Sequence, residues 1–213
     1  LDSPKLVGAE MERHGAARVG ESLYESWRLW KDVPIGIARW SRVQWITDAK
    51  EAKAAEVAQS GGAWILWVWH RAVAERLAAL LPSAVLCGAS ANDLIARANA
   101  DAAEKPVLCV ASIASHHVGK NLQNFSQQIF VQWPRSAKII QQLIGRTHRL
   151  GQKADVVRSV VLRWSDGVAG EFDAQHLAST LVDAIYIQDS LGEPQKILMS
   201  DWTPFVPEIF EAE

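Results

Sequence analysis

Residues 63–69, Ala-Trp-Ile-Leu-Trp-Val-Trp, set the first limit on what this chain can fold into. The run stands between Gly61-Gly62 and His70. It is far shorter than the roughly 20 apolar residues that span a bilayer. It also lacks the alternation of a strand with one wet face. A short, unbroken apolar run of this kind predicts a strand buried on both faces. Such a strand needs a layer of helices above it and another below.

The rest of the chain supplies those layers. A helix is expected over 48–60, with Asp48 and Glu51 forming a capping box and Gly61-Gly62 stopping it. After the strand over 63–69 come a helix over 70–81, ended by Pro82, and a strand over 84–88. Ser90, with Asp93 in the box position, is expected to cap a helix that ends before Pro106. Strands follow over 107–113 and 128–133, the latter closed by Pro134. A helix spans 136–150, a strand 156–164 and a helix 173–188. Strands alternating with helices imply right-handed crossovers and a mostly parallel sheet flanked by helices, the three-layer α/β class. Ligands in such sheets bind beyond the carboxyl ends of the strands. Residues 1–46 are expected to be a helical lead-in or interdomain segment, with tryptophans at 27, 30, 40 and 45. Residues 47–213 then form the main domain with an acidic C-terminal tail.

At 213 residues the chain suits one domain with an appendage, large enough to bury a core without staples. Cys87 and Cys109 both lie in apolar runs and are expected as buried thiols in a reducing interior. There is no signal-peptide pattern and no membrane partner is expected, so the site of action is cytoplasmic (nucleoid-associated) or nuclear, not secreted. The first residues, Leu-Asp-Ser-Pro, lead us to expect a piece of a longer protein.

The net charge of −2 hides an asymmetry. Residues 105–163 hold nine basic side chains and a single acidic one, Asp155, whereas residues 164–213 hold ten acidic and one basic, Lys196. An anion is expected at the middle segment. The other reading is an acidic tail folded back to neutralise it.

Within the basic segment lies Gln142-x-x-Gly145-Arg146-x-His148-Arg149-x-Gly151-Gln152. On a helix, Gln142, Arg146 and Arg149 fall at i, i+4 and i+7 and share a face, while Ile140, Leu143 and Leu150 make an apolar face that anchors the element. Two guanidiniums side by side repel. They are kept on a rigid mount where a polyanion sits between them, and the planar fork of Arg grips phosphate oxygens. A second segment, Ser112-Ile-Ala-Ser-His116-His117-Val-Gly119-Lys120-Asn121-Leu-Gln123, follows the third strand. Gly119 permits a turn and close approach to an anion, Lys120 offers charge, and Asn121 and Gln123 offer amide donors. Adjacent histidines rarely point at one ion, so no metal site is expected at His116-His117. Arg135 and Lys138 are further phosphate candidates, or simply a solvated face. Most tryptophans, including those of the first strand, are expected in the core.

With the junction at residues 64–70, these segments resemble motifs IV, V and VI of superfamily 2 helicases. The third looks like the Swi/Snf-type branch of DNA-dependent ATPases. The resemblance implies the second RecA-like domain of such an enzyme, partnered by an N-terminal RecA-like domain and by DNA held through its backbone. Arg146 and Arg149 match the family's arginine-finger positions. Gln142 would orient their helix or touch phosphate, with Gly119 and Asn121 beside it. His70, Ser112, Lys120 and Gln123 match nucleic-acid positions, although His70 is equally placed to cap a helix. The family commonly has a glycine pair where this chain has His116 and His117. ATP and Mg²⁺ would be held mainly by the first domain, because no Gly-x-x-x-x-Gly-Lys-Ser/Thr loop and no Asp-Glu box occur here. The chain alone is therefore expected not to hydrolyse ATP. The alternative is a non-catalytic RecA-like module that binds nucleic acid or a protein partner.

Overall fold

In the computed structural model, residues 47–202 are described, together with Glu25, Arg28 and Leu29. The chain divides into two units, Leu1–Ile46 and Thr47–Glu213. The lead-in expected over 1–46 lies almost wholly outside the described residues.

The second unit runs α1 (Ala49–Ala58), β1 (Trp64–Val68), α2 (Arg71–Leu80), β2 (Val85–Cys87), α3 (Asn92–Asp101), β3 (Leu108–Ser112), α4 (Ile113–His116), β4 (Gln127–Phe130), α5 (Ala137–Thr147), β5 (Arg158–Val161) and α6 (Gly167–Leu191). The five strands form one sheet in the order β2-β3-β1-β4-β5. Every pairing is parallel. The apolar run becomes the central strand, and all of β1 is buried. Its even residues Trp64, Leu66 and Val68 join Val57, Val73 and Leu77 of α1 and α2. Its odd residues Ile65 and Trp67 join Ile95 of α3, Ile140 and Leu143 of α5 and Ala184 of α6. Period-two alternation therefore feeds two cores, one on each side of the sheet.

Burying so many indoles demands partners for their N–H groups. Trp64 Nε1 donates to the Gly61 carbonyl at 2.9 Å, and Trp67 Nε1 to Gln128 Oε1 at 3.0 Å. Gln128 is itself fully buried and donates on to Ser159 Oγ at 2.8 Å. This relay ties β1, β4 and β5 together beneath the apolar layer and leaves no member unsatisfied.

The capping expectations fail. Asp48 makes no side-chain cap; its carboxylate pairs with Arg76 of α2, and Thr47 Oγ1 accepts from the Ala49 N–H at 3.2 Å instead. That ion pair, with its backbone support, holds the Asp48 carboxyl below its usual range. Ser90 does not cap α3, which starts at Asn92 after Ala91. Helix α6 begins well before the expected Asp173. Gly170 lets its first turn fold onto the Ser165 backbone, where a Cβ would lie 2.8 Å from the Ser165 carbonyl carbon. Gly192, at φ +67°, ends the helix in the left-handed region. Asp173, inside the helix, pairs with Lys50 at 2.6 Å and accepts from the Trp164 N–H at 2.8 Å. Among the described residues no helix is long and apolar enough to cross a membrane.

Candidate functional site

Helix α5 presents Ala137, Ile140, Leu143, Ile144 and Thr147 to the core, at the spacing of one face. Gln142 and Arg146 stand one turn apart on its half-buried side. The helix then stops at Thr147, short of the expected Leu150. Thr147 Oγ1 donates to the Ile144 carbonyl at 3.2 Å, and His148 leaves helical geometry at φ −90°, ψ 83°. Gln152 Nε2 donates to the carbonyls of Thr147 and Phe125, each at 3.1 Å, and Lys196 Nζ to the His148 carbonyl at 3.2 Å. Side-chain donors thus satisfy the end carbonyls that another turn would have used. Gly151, at φ +93°, turns the chain back, and a Cβ there would meet the Gln123 amide at 2.9 Å. Arg149 accordingly sits on an exposed turn beyond the helix, not on the face of Gln142 and Arg146. Leu150 is 98% exposed and anchors nothing.

Arg146 is held differently. Its Nε donates to the His117 carbonyl and its Nη1 to the Lys120 carbonyl, each at 3.0 Å. Its own carbonyl accepts from the Leu122 N–H at 3.1 Å. The loop after β3 is thereby laced to the last turn of α5. Gly119, exposed at the crest of that loop, has φ +75°, where an L side chain is strained. Burial first, and the charge of Arg149 second, lower Arg146's affinity for its proton, and a guanidinium remains charged under such a shift.

The two histidines of the loop are placed differently, His116 buried and His117 half-buried. His116 is fully buried, and its Nε2 donates to the Gly88 carbonyl at 2.9 Å. Its Nδ1 is buried with no hydrogen-bond partner among the described residues. Burial, aided by the Lys120 charge, pulls its pKa below the usual value against support from the Gly88 carbonyl. His117 Nδ1 donates to the Ile113 carbonyl at 2.8 Å. The His116 ring thus braces the loop against the end of β2, and the His117 ring closes the turn of α4, where glycines would do neither.

The other candidates lie at the carboxyl ends of neighbouring strands. Val68 pairs in register with Ser112, so the exits of β1 and β3 adjoin. Ser112 Oγ accepts from Ser115 Oγ at 3.3 Å. His70 starts α2 in an extended conformation and makes no side-chain cap. The N–H groups of Trp69 and His70 both donate to Gln132 Oε1, at 2.8 and 2.9 Å. The structure therefore gathers Gly119, Lys120, Asn121, Gln123, Arg146 and Arg149 around one loop–helix junction, with Asn121 exposed. Gln142 lies a turn away, and His70 and Ser112 stand along the edge. Sequence reasoning passed over Gln132 and Lys196, whose partners are far off in the chain.

A five-stranded parallel sheet in this order, with its charged loops at one edge, can be set beside solved structures. The crystal structure of T4 UvsW matches 67% of this chain and 33% of its own, with a TM-score of 0.50 and 12% identity. The fold is RecA-like. The C-terminal part of the Fun30 ATPase domain aligns over 90% of this chain and 73% of its own at 15% identity and a TM-score of 0.48. The RNA helicase Prp28 from Chaetomium thermophilum, bound to ADP, aligns over 80% of this chain and 43% of its own at 19% identity and a TM-score of 0.49. At these identities the likeness is one of fold, and the chain spans a third of the length of UvsW. No family model matches the chain, and no curated protein matches it.

On this RecA-like lobe the junction offers two cations of different reach and a glycine-turned loop edged with amide and ammonium groups. That set suits phosphate, which accepts from guanidinium, amide and backbone N–H groups alike.

Proposed function

We propose that the chain is the C-terminal lobe of an ATP-dependent DNA helicase or translocase of Swi/Snf-like type. It lends arginines to ATP and Mg²⁺ held mainly by an N-terminal lobe and grips the nucleic-acid backbone along its strand ends. One observation carries this reading: Arg149 projects from a braced turn beside an arginine that is already tied to the phosphate-type loop.

Arg149 is the finger that reaches across, and Arg146 joins it through the Nη2 edge left over from its two loop carbonyls. Their charge opposes the charge that spreads over a transferring phosphoryl group. Arginine fingers are worth about 10³ to 10⁵ in rate in such enzymes. Gln142 steadies the helix face behind them. Gly119 and Asn121 line the approach. Ser112, Lys120, Gln123 and His70 hold strand phosphates without reading bases. Because Arg146 is bonded to the loop of Gly119 and Lys120, a movement of the arginine moves the nucleic-acid grip as well.

The test joins this chain to an N-terminal lobe and measures nucleic-acid-stimulated ATP hydrolysis. Arg149→Ala is expected to cut turnover by about 10³-fold or more. Unchanged turnover would discard the finger and leave a lobe that binds without contributing to catalysis.

A further inference from the structure

Six tryptophans lie among the described residues, and five are accounted for by their surroundings. Trp64, Trp67, Trp133 and Trp202 donate to Gly61 O, Gln128 Oε1, Thr180 Oγ1 and Ile197 O at 2.9, 3.0, 3.2 and 3.1 Å. The ring of Trp164 takes the Lys50 ammonium at 5.6 Å. Trp69 differs. It is 42% exposed, and its indole has no hydrogen-bond or ring partner among the described residues. The apolar run predicts it buried; it emerges because β1 ends at Val68.

Its backbone, in contrast, is fixed. Gln132 Oε1 accepts from both the Trp69 and His70 N–H groups, tying the exit of β1 to the exit of β4. Three residues beyond Gln132, the Arg135 guanidinium lies 5.5 Å from the ring of Phe172, itself 45% exposed. On the other flank is β3, whose last residue Ser112 opens the loop of Lys120. In strand order, then, an exposed indole stands between Lys120's loop and the exposed pair Arg135 and Lys138. An aromatic ring on a rigid mount between cations is the combination that holds unpaired bases and their phosphates together. A duplex hides the faces of its bases and offers only phosphates and groove edges.

We propose that Trp69 stacks on a base of an unpaired strand, so that the nucleic acid taken at this edge is single-stranded. This rests on the nucleic-acid reading above and names its substrate class. Arg135, Lys138 and Lys120 hold the phosphates on either side, and the ring tolerates any base because every base has a π face.

The test measures binding of this chain at low salt to three labelled probes. They are a short oligothymidylate, the same backbone with its bases removed, and a duplex. The base-bearing strand is expected to bind about ten-fold more tightly than the abasic one, from a single stacking contact. Trp69→Ala should bring the two together without changing the abasic affinity or its salt slope, and Trp69→Phe should keep most of the difference. Thermal melting checks that both variants fold. Equal binding of the two single strands by the wild type, or tighter binding of the duplex, would overturn stacking while leaving a phosphate grip. No binding to any probe would overturn the nucleic-acid reading and stacking with it.

Discussion

The last turn of α5 and the turn that follows it hold one arginine each, and the two are mounted in opposite ways. Arg146 is half-buried and spends two donors on carbonyls of its own lobe. Arg149 is exposed, and the rigidity lies beneath it: Gln152, Lys196 and Thr147 fix the backbone of the turn and leave the side chain outward. Identical side chains three residues apart are thus held in different ways. One is bolted to the domain's own carbonyls, and the other points outward from a stiff bracket. A helical wheel gives both the same role, because it counts residues and omits the point at which the helix ends.

The sharpest way to break this contrast is to remove each arginine and follow turnover and stability together. Arg149→Ala should lose about 10³-fold in ATP hydrolysis by the assembled enzyme while the folded chain stays within about 0.5 kcal/mol of wild type. Arg146→Ala should lose turnover and also about 2 kcal/mol of stability, since two carbonyls lose charged donors and the loop loses its tie. Chemical denaturation of the chain alone measures the second quantity. Equal stability of the two variants would refute the bolt.

A smaller effect sharpens the bracket. Gln152 Nε2 bridges two carbonyls, so Gln152→Ala should destabilise the chain by about 1–2 kcal/mol. It should also lower turnover through disorder of the Arg149 turn, leaving single-strand binding at Trp69 unaltered. A variant that loses stability but keeps full turnover would show that Arg149 needs no bracket.

What could be read in the sequence follows from range. The unbroken run over 63–69 and the alternation of strands and helices report burial and period, which are local, and the parallel three-layer sheet follows from them. The arginine motif located the junction for the same reason. The cap expected at Asp48 fails because its carboxylate has a better distant partner in Arg76, and the one at Ser90 fails because the helix starts two residues later, at Asn92. The end of α5 was misplaced because it is set by Gln152 and Lys196 reaching back to helix carbonyls. Trp69 emerges where the apolar run predicts burial, because composition cannot tell where a strand stops. The inward turn of His116 depends on the Gly88 carbonyl, which only the pairing of β2 with β3 brings near.

That inward histidine gives the finest test of the bolt. Arg146 ties the loop at His117 and Lys120, beside the His116 anchor, so the loop's stability should follow the protonation of His116. Burial lowers its pKa in the folded chain relative to the unfolded one. A group with a depressed folded pKa binds fewer protons when folded, so its stabilisation is complete above the unfolded value of about 6.5 and drains away as pH falls through the folded value. The slope of stability against pH should therefore steepen below about pH 6.5, by less than the 1.4 kcal/mol per pH unit that one proton permits. His116→Gln, whose amide keeps a donor for Gly88 without titrating, should remove that extra slope. In Arg146→Ala the neighbouring ties at His117 and Lys120 are gone and the His116 ring is less confined, so the slope should shrink there too. An unchanged acid slope in both variants would mean that the two anchors act on separate parts of the lobe.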